Sequence, residues 1–135
     1  MIEPACDTPG ILVVDDEPTL LGLLETVFRR RGFRVWCANS GEAAVALYEA
    51  HRADIGVVLL DVCMPHLDGP GTLAKLRLLC PGLQACFMSG FAGRYSVDDL
   101  FAMGAARFFD KPFQIVPMAE ALWTLAQSGQ QRQTA

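Results

Sequence analysis

The stretch LLDVCMPHLDG (59–69) closes an apolar run, Ile55 to Leu60, on a carboxylate, Asp61, and sets Asp68 beside Gly69 soon after. A charge at the end of so apolar a segment is costly unless something pairs with it. Three other short runs end on groups able to do chemistry: ILVV on Asp15-Asp16, QACFM on Ser89, and ARFF on Asp110-Lys111. Carboxylates brought close together repel, and uncompensated, at least one takes a raised pKa. A hard divalent cation resolves that, because magnesium wants an octahedron of oxygens and usually takes one or two carboxylates plus waters and phosphate oxygens. Asp16 and Asp61 are the carboxylates for it, with Asp15 behind them, and the backbone carbonyl of Cys63 offers a third oxygen. An aspartate poised beside such a cation is a nucleophile able to form an acyl phosphate. Lys111 and the Ser89 hydroxyl are the right types to neutralise and hold the remaining phosphoryl oxygens.

The elements that must position these groups alternate along the chain. ILVVD (11–15), FRVWCA (33–38), IGVVLL (55–60), QACFMS (84–89) and ARFF (106–109) read as five strands, several of them continuous apolar runs that suit burial on both faces. Between and after them, helices are expected from Glu17 to Arg31, Ser40 to His51, about Pro70 to Leu79, Ser96 to Met103 and Pro117 to Gln127. Leu20, Leu21, Leu24, Val27 and Phe28 recur at helical spacing, with Pro18 in the first turn and Gly32 as the stop. Ser40 is a plausible N-cap, Asp68-Gly69 a turn into the third helix, and the tail SGQQRQTA is expected to fray. Strands joined by single helices imply a doubly wound five-stranded parallel sheet, with its ligand site beyond the carboxyl ends of the strands. Those ends carry Asp15, Asp16, Asp61, Ser89 and Lys111.

Composition limits the function classes. The 135 residues suit one domain, with residues 10–127 as its body and 1–9 and 128–135 as tails. A net charge of −4, with no basic run longer than Arg29-Arg30-Arg31, argues against a nucleic-acid surface. Five cysteines without a C-x-x-C pair, and two histidines off metal-finger spacing, point to reduced thiols in a cytoplasmic protein. The N-terminus lacks the regions of a signal peptide. The longest uncharged stretch, Leu78 to Gly93, is broken by Pro and Gly and too short for a bilayer.

Together, ILVVDDEP, LLDVCMPHLDG, FMSG and GAARFFDKPF resemble the motifs of response-regulator receiver domains of two-component signalling, in that family's order and spacing over roughly Gly10 to Gln127. The resemblance implies a flavodoxin-like fold with strand order 2-1-3-4-5. It implies phosphorylation of Asp61, with Mg2+, by a sensor histidine kinase or a histidine phosphotransfer protein. Asp15 and Asp16 become the acidic pair, Ser89 the switch hydroxyl, Lys111 the phosphate-sensing lysine and Phe108 the aromatic rotamer switch. It further implies a two-state surface of helix four, strand five and helix five that also serves homodimers, and no contact with nucleic acid or membrane. Such a domain is a phosphoacceptor switch more than an enzyme with turnover. Cys63 and Phe91 stand where the family modulates attack of water on the phosphoryl group, and neither positions water well, so slow autodephosphorylation is expected. RGFRVWCANSGEAAVAL and FMSGF resemble receivers of hybrid histidine kinases, whereas Met1 favours an autonomous chain or an N-terminal module.

Plainer readings exist for each residue. A solvated turn also accommodates Asp15-Asp16, a surface lysine looks like Lys111, and small hydroxyls such as Ser89 are common in turns. What sets these aside is that all of them fall together at strand ends. Phe108 suits plain core as well as a switch, Tyr95 and Trp123 suit partner contacts or partial core, and His66 suits a surface loop. Cys63 has no basic neighbour in sequence to make it a reactive thiolate. A haloacid-dehalogenase-type phosphatase also uses a strand-end aspartate with magnesium, but needs an acid two residues after it, where this chain has Cys63. A phosphorylation-independent binding module is the other rival, and its usual mark, loss of the acidic pair, acceptor or lysine, is missing.

Overall fold

The computed structural model describes residues 8–90, 93 and 95–134. Five strands, β1 (Gly10–Val14), β2 (Arg34–Ala38), β3 (Val57–Asp61), β4 (Gln84–Ser89) and β5 (Arg107–Asp110), alternate with α1 (Pro18–Arg31), α2 (Gly41–His51), α3 (Gly69–Leu79), α4 (Val97–Ala102) and α5 (Ile115–Thr134). The strands form one sheet in the order β2-β1-β3-β4-β5, with every neighbouring pair parallel. This is the doubly wound architecture expected from the alternation.

The continuous apolar runs are explained by two cores, one on each face of the sheet. Because side chains alternate along a strand, Leu12, Val14, Val58, Leu60 and Phe87 pack on one face with Tyr48, Leu73, Leu76 and Leu100 of α2, α3 and α4. Ile11, Val13, Val57, Leu59 and Met88 pack on the other with Leu24, Phe28, Met118 and Leu122 of α1 and α5. Every residue of β1 and β3 is buried.

Helix boundaries follow local chemistry. Pro18 opens α1 and Gly32 closes it at φ 115°, a left-handed conformation that favours glycine. The Ser40 side chain accepts from Ala43 N, as an N-cap should. Asp68 does the same for α3, and Ser96 with Asp99 forms a reciprocal capping box for α4.

The last helix departs from expectation at both ends. It begins at Ile115, with Met118 N donating to Gln114 O, so Pro117 lies inside its first turn instead of opening it. It also continues through Thr134, where a frayed tail was expected. Gln and Arg are good helix formers, and Gly129 fits because a Cβ there would collide with the Gly56 carbonyl. Other edges move by a residue or two: β3 takes in Asp61 and begins at Val57, while β1 ends at Val14 and leaves Asp15 just beyond it. Among the described residues, no helix is long and apolar enough to cross a membrane.

Candidate functional site

Strand order reverses between β1 and β3, both of which pair with each other and diverge to β2 and β4. At such a reversal the connections leave on opposite sides and open a crevice at the carboxyl edge. Asp15 and Asp16 follow β1 there, and Asp61 ends β3. Asp15 is 1 % exposed and Asp61 6 % exposed, whereas Asp16 faces solvent. Local bonds aim Asp15: its backbone N–H donates to Ala38 O at 3.2 Å, and its Oδ1 accepts from Glu17 N at 2.8 Å.

Lys111 arrives from the far side of the sheet. Its backbone N–H donates to Ser89 O at 2.9 Å, which seats the residue at the end of β4, and the Lys111–Pro112 peptide is cis. The ammonium then donates to Asp15 Oδ2 at 2.9 Å and reaches Asp61 Oδ1 at 3.5 Å. Ser89 is 2 % exposed and follows Met88, the register partner of Asp61 on the neighbouring strand.

Carboxylates outnumber the ammonium in this crevice, and Asp61 is both buried and crowded by like charge. Burial, then the charge of Asp15, push the Asp61 carboxyl from its ordinary 3.8 up to about 6, while Lys111 pulls it down and Asp16 adds a smaller push. Burial alone lowers the Lys111 ammonium, but its hydrogen bond to Asp15 and the charges of Asp61 and Asp15 outweigh that and raise it. One oxygen from each of Asp15, Asp16 and Asp61 lies within 4.8 Å of the others. That is comparable to the ~4.2 Å across an octahedral magnesium ion. The donor set is all oxygen, carries surplus negative charge and is open on the Asp16 side, so it fits a hard divalent cation.

Most of the residues picked out from the sequence therefore converge. Cys63 lies two residues past Asp61 with an exposed thiol, and burial together with Asp61, Asp68 and Asp16 raises its pKa, so it is no thiolate at neutral pH. Phe108 is half-buried on β5 beside Phe87 and packs on the α2–α3–α4 face. Phe91 lies outside the described residues. His66 does not join the acidic cluster. It sits in the β3–α3 turn at φ 69°.

Two features escaped sequence reasoning. A Cβ at Gly69 would run into the Asp61 carbonyl oxygen, so the turn after β3 lies directly on the acidic strand end. Asp68, read only as a turn residue, also accepts the Tyr95 hydroxyl at 2.8 Å. The Asp-Gly pair was the available signal for the first; nothing local marks the second, which joins residues 27 apart.

Comparison with known proteins agrees with this geometry. The family model described as response regulator receiver domain matches residues 11–122. This chain belongs to the response regulator receiver domain family. It is 32 % identical to the sensor kinase CckA of Brucella abortus (strain 2308), over 87 % of this chain and 13 % of the kinase. It is 29 % identical to sporulation initiation phosphotransferase F of Bacillus subtilis (strain 168), over 83 % of this chain and 89 % of that protein. Among solved structures, a chain of the CheX-CheY-BeF3-Mg+2 complex from Borrelia burgdorferi superposes with a TM-score of 0.78 at 25 % identity, covering 90 % of this chain and 97 % of that one. The receiver spans less than half the length of the first curated relatives it matches.

Proposed function

We propose that this receiver is a phosphoaccepting switch in which Asp61 takes a phosphoryl group from the phosphohistidine of a sensor histidine kinase or a histidine phosphotransfer protein. The observation that carries this reading is Lys111, whose ammonium bridges Asp15 and Asp61 at 2.9 and 3.5 Å where strand order reverses. An Asp61 carboxylate oxygen attacks phosphorus, the P–N bond breaks, the imidazole departs, and an acyl phosphate remains on Asp61. Asp15, Asp16, Asp61 and the Cys63 carbonyl would hold Mg2+, which supplies charge neutralisation for the phosphoryl oxygens. The similar Borrelia structure is a complex that includes BeF3 and Mg2+, and the acidic cluster here suits the same kind of cation.

This chain's own residues supply positioning and charge. Lys111 leaves its carboxylate pairings to meet a phosphoryl oxygen, and the buried Ser89 hydroxyl, next to the register partner of Asp61, meets another. Movement of Ser89 and Lys111 at the ends of β4 and β5 is read out on the α4–β5–α5 face, with Phe108 as the aromatic that follows it. Val97, Phe101 and Val116 are exposed apolar side chains on α4 and α5, which supports a protein-docking or homodimer role for that face. The domain is a substrate and switch more than a turnover enzyme, works in the cytoplasm, and contacts neither nucleic acid nor membrane itself. With Cys63 and Phe91 as poor positioners of water, its phospho-form decays slowly. The body of the domain is residues 10–127. A phosphorylation-independent binding role has no feature in its favour, because the acidic pair, acceptor and lysine are all present.

The test is intact-protein mass after incubation with acetyl phosphate, with and without magnesium, on wild type and Asp61→Asn. One magnesium-dependent phosphoryl addition, absent from the variant, is expected. A folded wild type that gains no phosphoryl group from acetyl phosphate or from a panel of kinases would overturn the reading.

A further inference from the structure

One carboxylate outside the acidic cluster serves two helices at once. Asp68 Oδ1 accepts from Gly71 N at 2.8 Å and caps α3, while Oδ2 accepts the Tyr95 hydroxyl at 2.8 Å. Tyr95 immediately precedes Ser96, the N-cap of α4. A single side chain therefore pins the N-termini of α3 and α4 to each other.

The Asp68 end of this link is held firmly against the phosphoacceptor. Gly69 N donates to Val62 O at 2.9 Å, and the missing Cβ of Gly69 is what lets it lie on the Asp61 carbonyl. His66, in the same turn, keeps a left-handed φ of 69°. A non-glycine residue holds that conformation only where its surroundings over-determine it. Contacts thus run without a break from the Asp61 backbone through Gly69 and Asp68 to Tyr95 and the start of α4. The same residues wall a solvent-open cavity of about 460 Å³ lined by Cys63, Pro65, His66, Asp68, Gly93 and Tyr95. A Cβ at Gly93 would stand 3.4 Å from the Cys63 sulfur, so the two walls meet at that thiol.

We propose that the Asp68–Tyr95 hydrogen bond is a tether that positions the start of α4 against the β3–α3 turn, and so sets how freely water and small reagents reach Cys63 and the neighbouring Asp61 carboxylate. Tyr95 and Asp68 are positioning residues acting through backbone and cavity wall. The effect on Asp61 rests on the phosphoacceptor reading above; the effect on Cys63 rests on geometry alone.

Three variants of the full chain separate the tether from the helix cap. Tyr95→Phe removes only the hydroxyl. Asp68→Ser keeps an N-cap for α3 but is too short to reach Tyr95. Asp68→Asn keeps the cap through its carbonyl oxygen, and its amide N–H donates to the Tyr95 oxygen in place of the lost acceptor. Two rates are measured for each: alkylation of Cys63 by iodoacetamide, resolved by peptide mass, and loss of the phosphoryl group after acetyl phosphate treatment. Tyr95→Phe is expected to speed both about fivefold, the effect of losing one hydrogen bond of ordinary strength, and Asp68→Ser to be about fivefold faster in both than Asp68→Asn, the two variants sharing the loss of the Asp68 charge.

Wild-type alkylation of Cys63 in folded Tyr95→Phe would overturn the tether. Faster alkylation with an unchanged phosphoryl lifetime would overturn its control of Asp61. A wild type that accepts no phosphoryl group would sink the phosphoacceptor reading, while the alkylation rates would still decide the tether.

Discussion

Arg31 and Lys111 both pair with carboxylates, and they do so in opposite ways. Arg31, in the last turn of α1, makes a bidentate pair with Glu120 of α5 at 2.8 and 2.9 Å, and its guanidinium lies 4.1 Å from the Trp123 ring centroid. Trp123 in turn packs edge-on against Phe33 at 5.1 Å, which makes it part of the α1–α5 seam. That site is balanced, one charge against one, and it faces solvent. Lys111 is a single ammonium facing two buried carboxylates, with Asp16 close by. That site carries surplus negative charge in a crevice that burial makes costly. A balanced pair holds helices together; an unbalanced one is poised for another cation and an incoming group.

Experiments that alter this balance should have effects in a definite order. Lys111→Met leaves Asp15 and Asp61 facing each other without a counter-charge, and is expected to destabilise the metal-free protein by about 2–3 kcal/mol at pH 8, discounted for the partial exposure of the lysine. Urea unfolding in EDTA measures it, and an unchanged midpoint would mean that the bridge is structurally idle.

Asp61→Asn should act in the opposite direction. The folded-state pKa of Asp61, about 6, lies above its ordinary 3.8. Its contribution to stability is therefore full below about pH 4 and is lost as pH rises through 6. Without metal, the amide should stabilise the fold at pH 7 by about 2 kcal/mol, after allowance for solvent screening, and the gain should vanish at pH 4. A gain that persists at pH 4 would point to packing instead of charge.

Magnesium at ten times its dissociation constant should stabilise wild type by about 1.4 kcal/mol, visible as a rise in Tm, and should do less for Asp61→Asn. Equal shifts in the two would place the cation elsewhere. The smallest effect is expected at the balanced site. Arg31 holds the exposed Glu120 carboxyl below the usual carboxylate range. What Glu120 contributes is present above its unfolded pKa and is lost as pH falls through its folded value. Glu120→Gln should therefore lower the midpoint slightly at pH 7, less in high salt, and not at all in acid. A loss as large as that of Lys111→Met would erase the contrast between the two sites.

Much of this arrangement is legible in the sequence. Ser40, Ser96, Gly32 and Pro18 mark helix ends through hydrogen bonds and backbone preferences that reach only a few residues. Val57 to Leu60 reads as a buried strand because a doubly covered sheet tolerates no polar side chain there. The acidic strand ends were visible for the same reason, since a carboxylate closing such a run needs a partner. The far end of α5 was misread because Gly129 and the polar residues after it look like a tail. Its helix is supported where Gly129 meets Gly56, a contact 73 positions apart in the chain by their numbers.

The sequence alone thus determined the alternation of strand and helix, the caps, and the set of groups that stand at the carboxyl edge, because those follow from periodicity and short-range bonding. The fold decided which of them meet. Lys111 finds Asp15 across 96 residues and Asp61 across 50, and Tyr95 finds Asp68 across 27. Those meetings are set by strand order, register and the path of turns around Gly69, and no local pattern of residues encodes them.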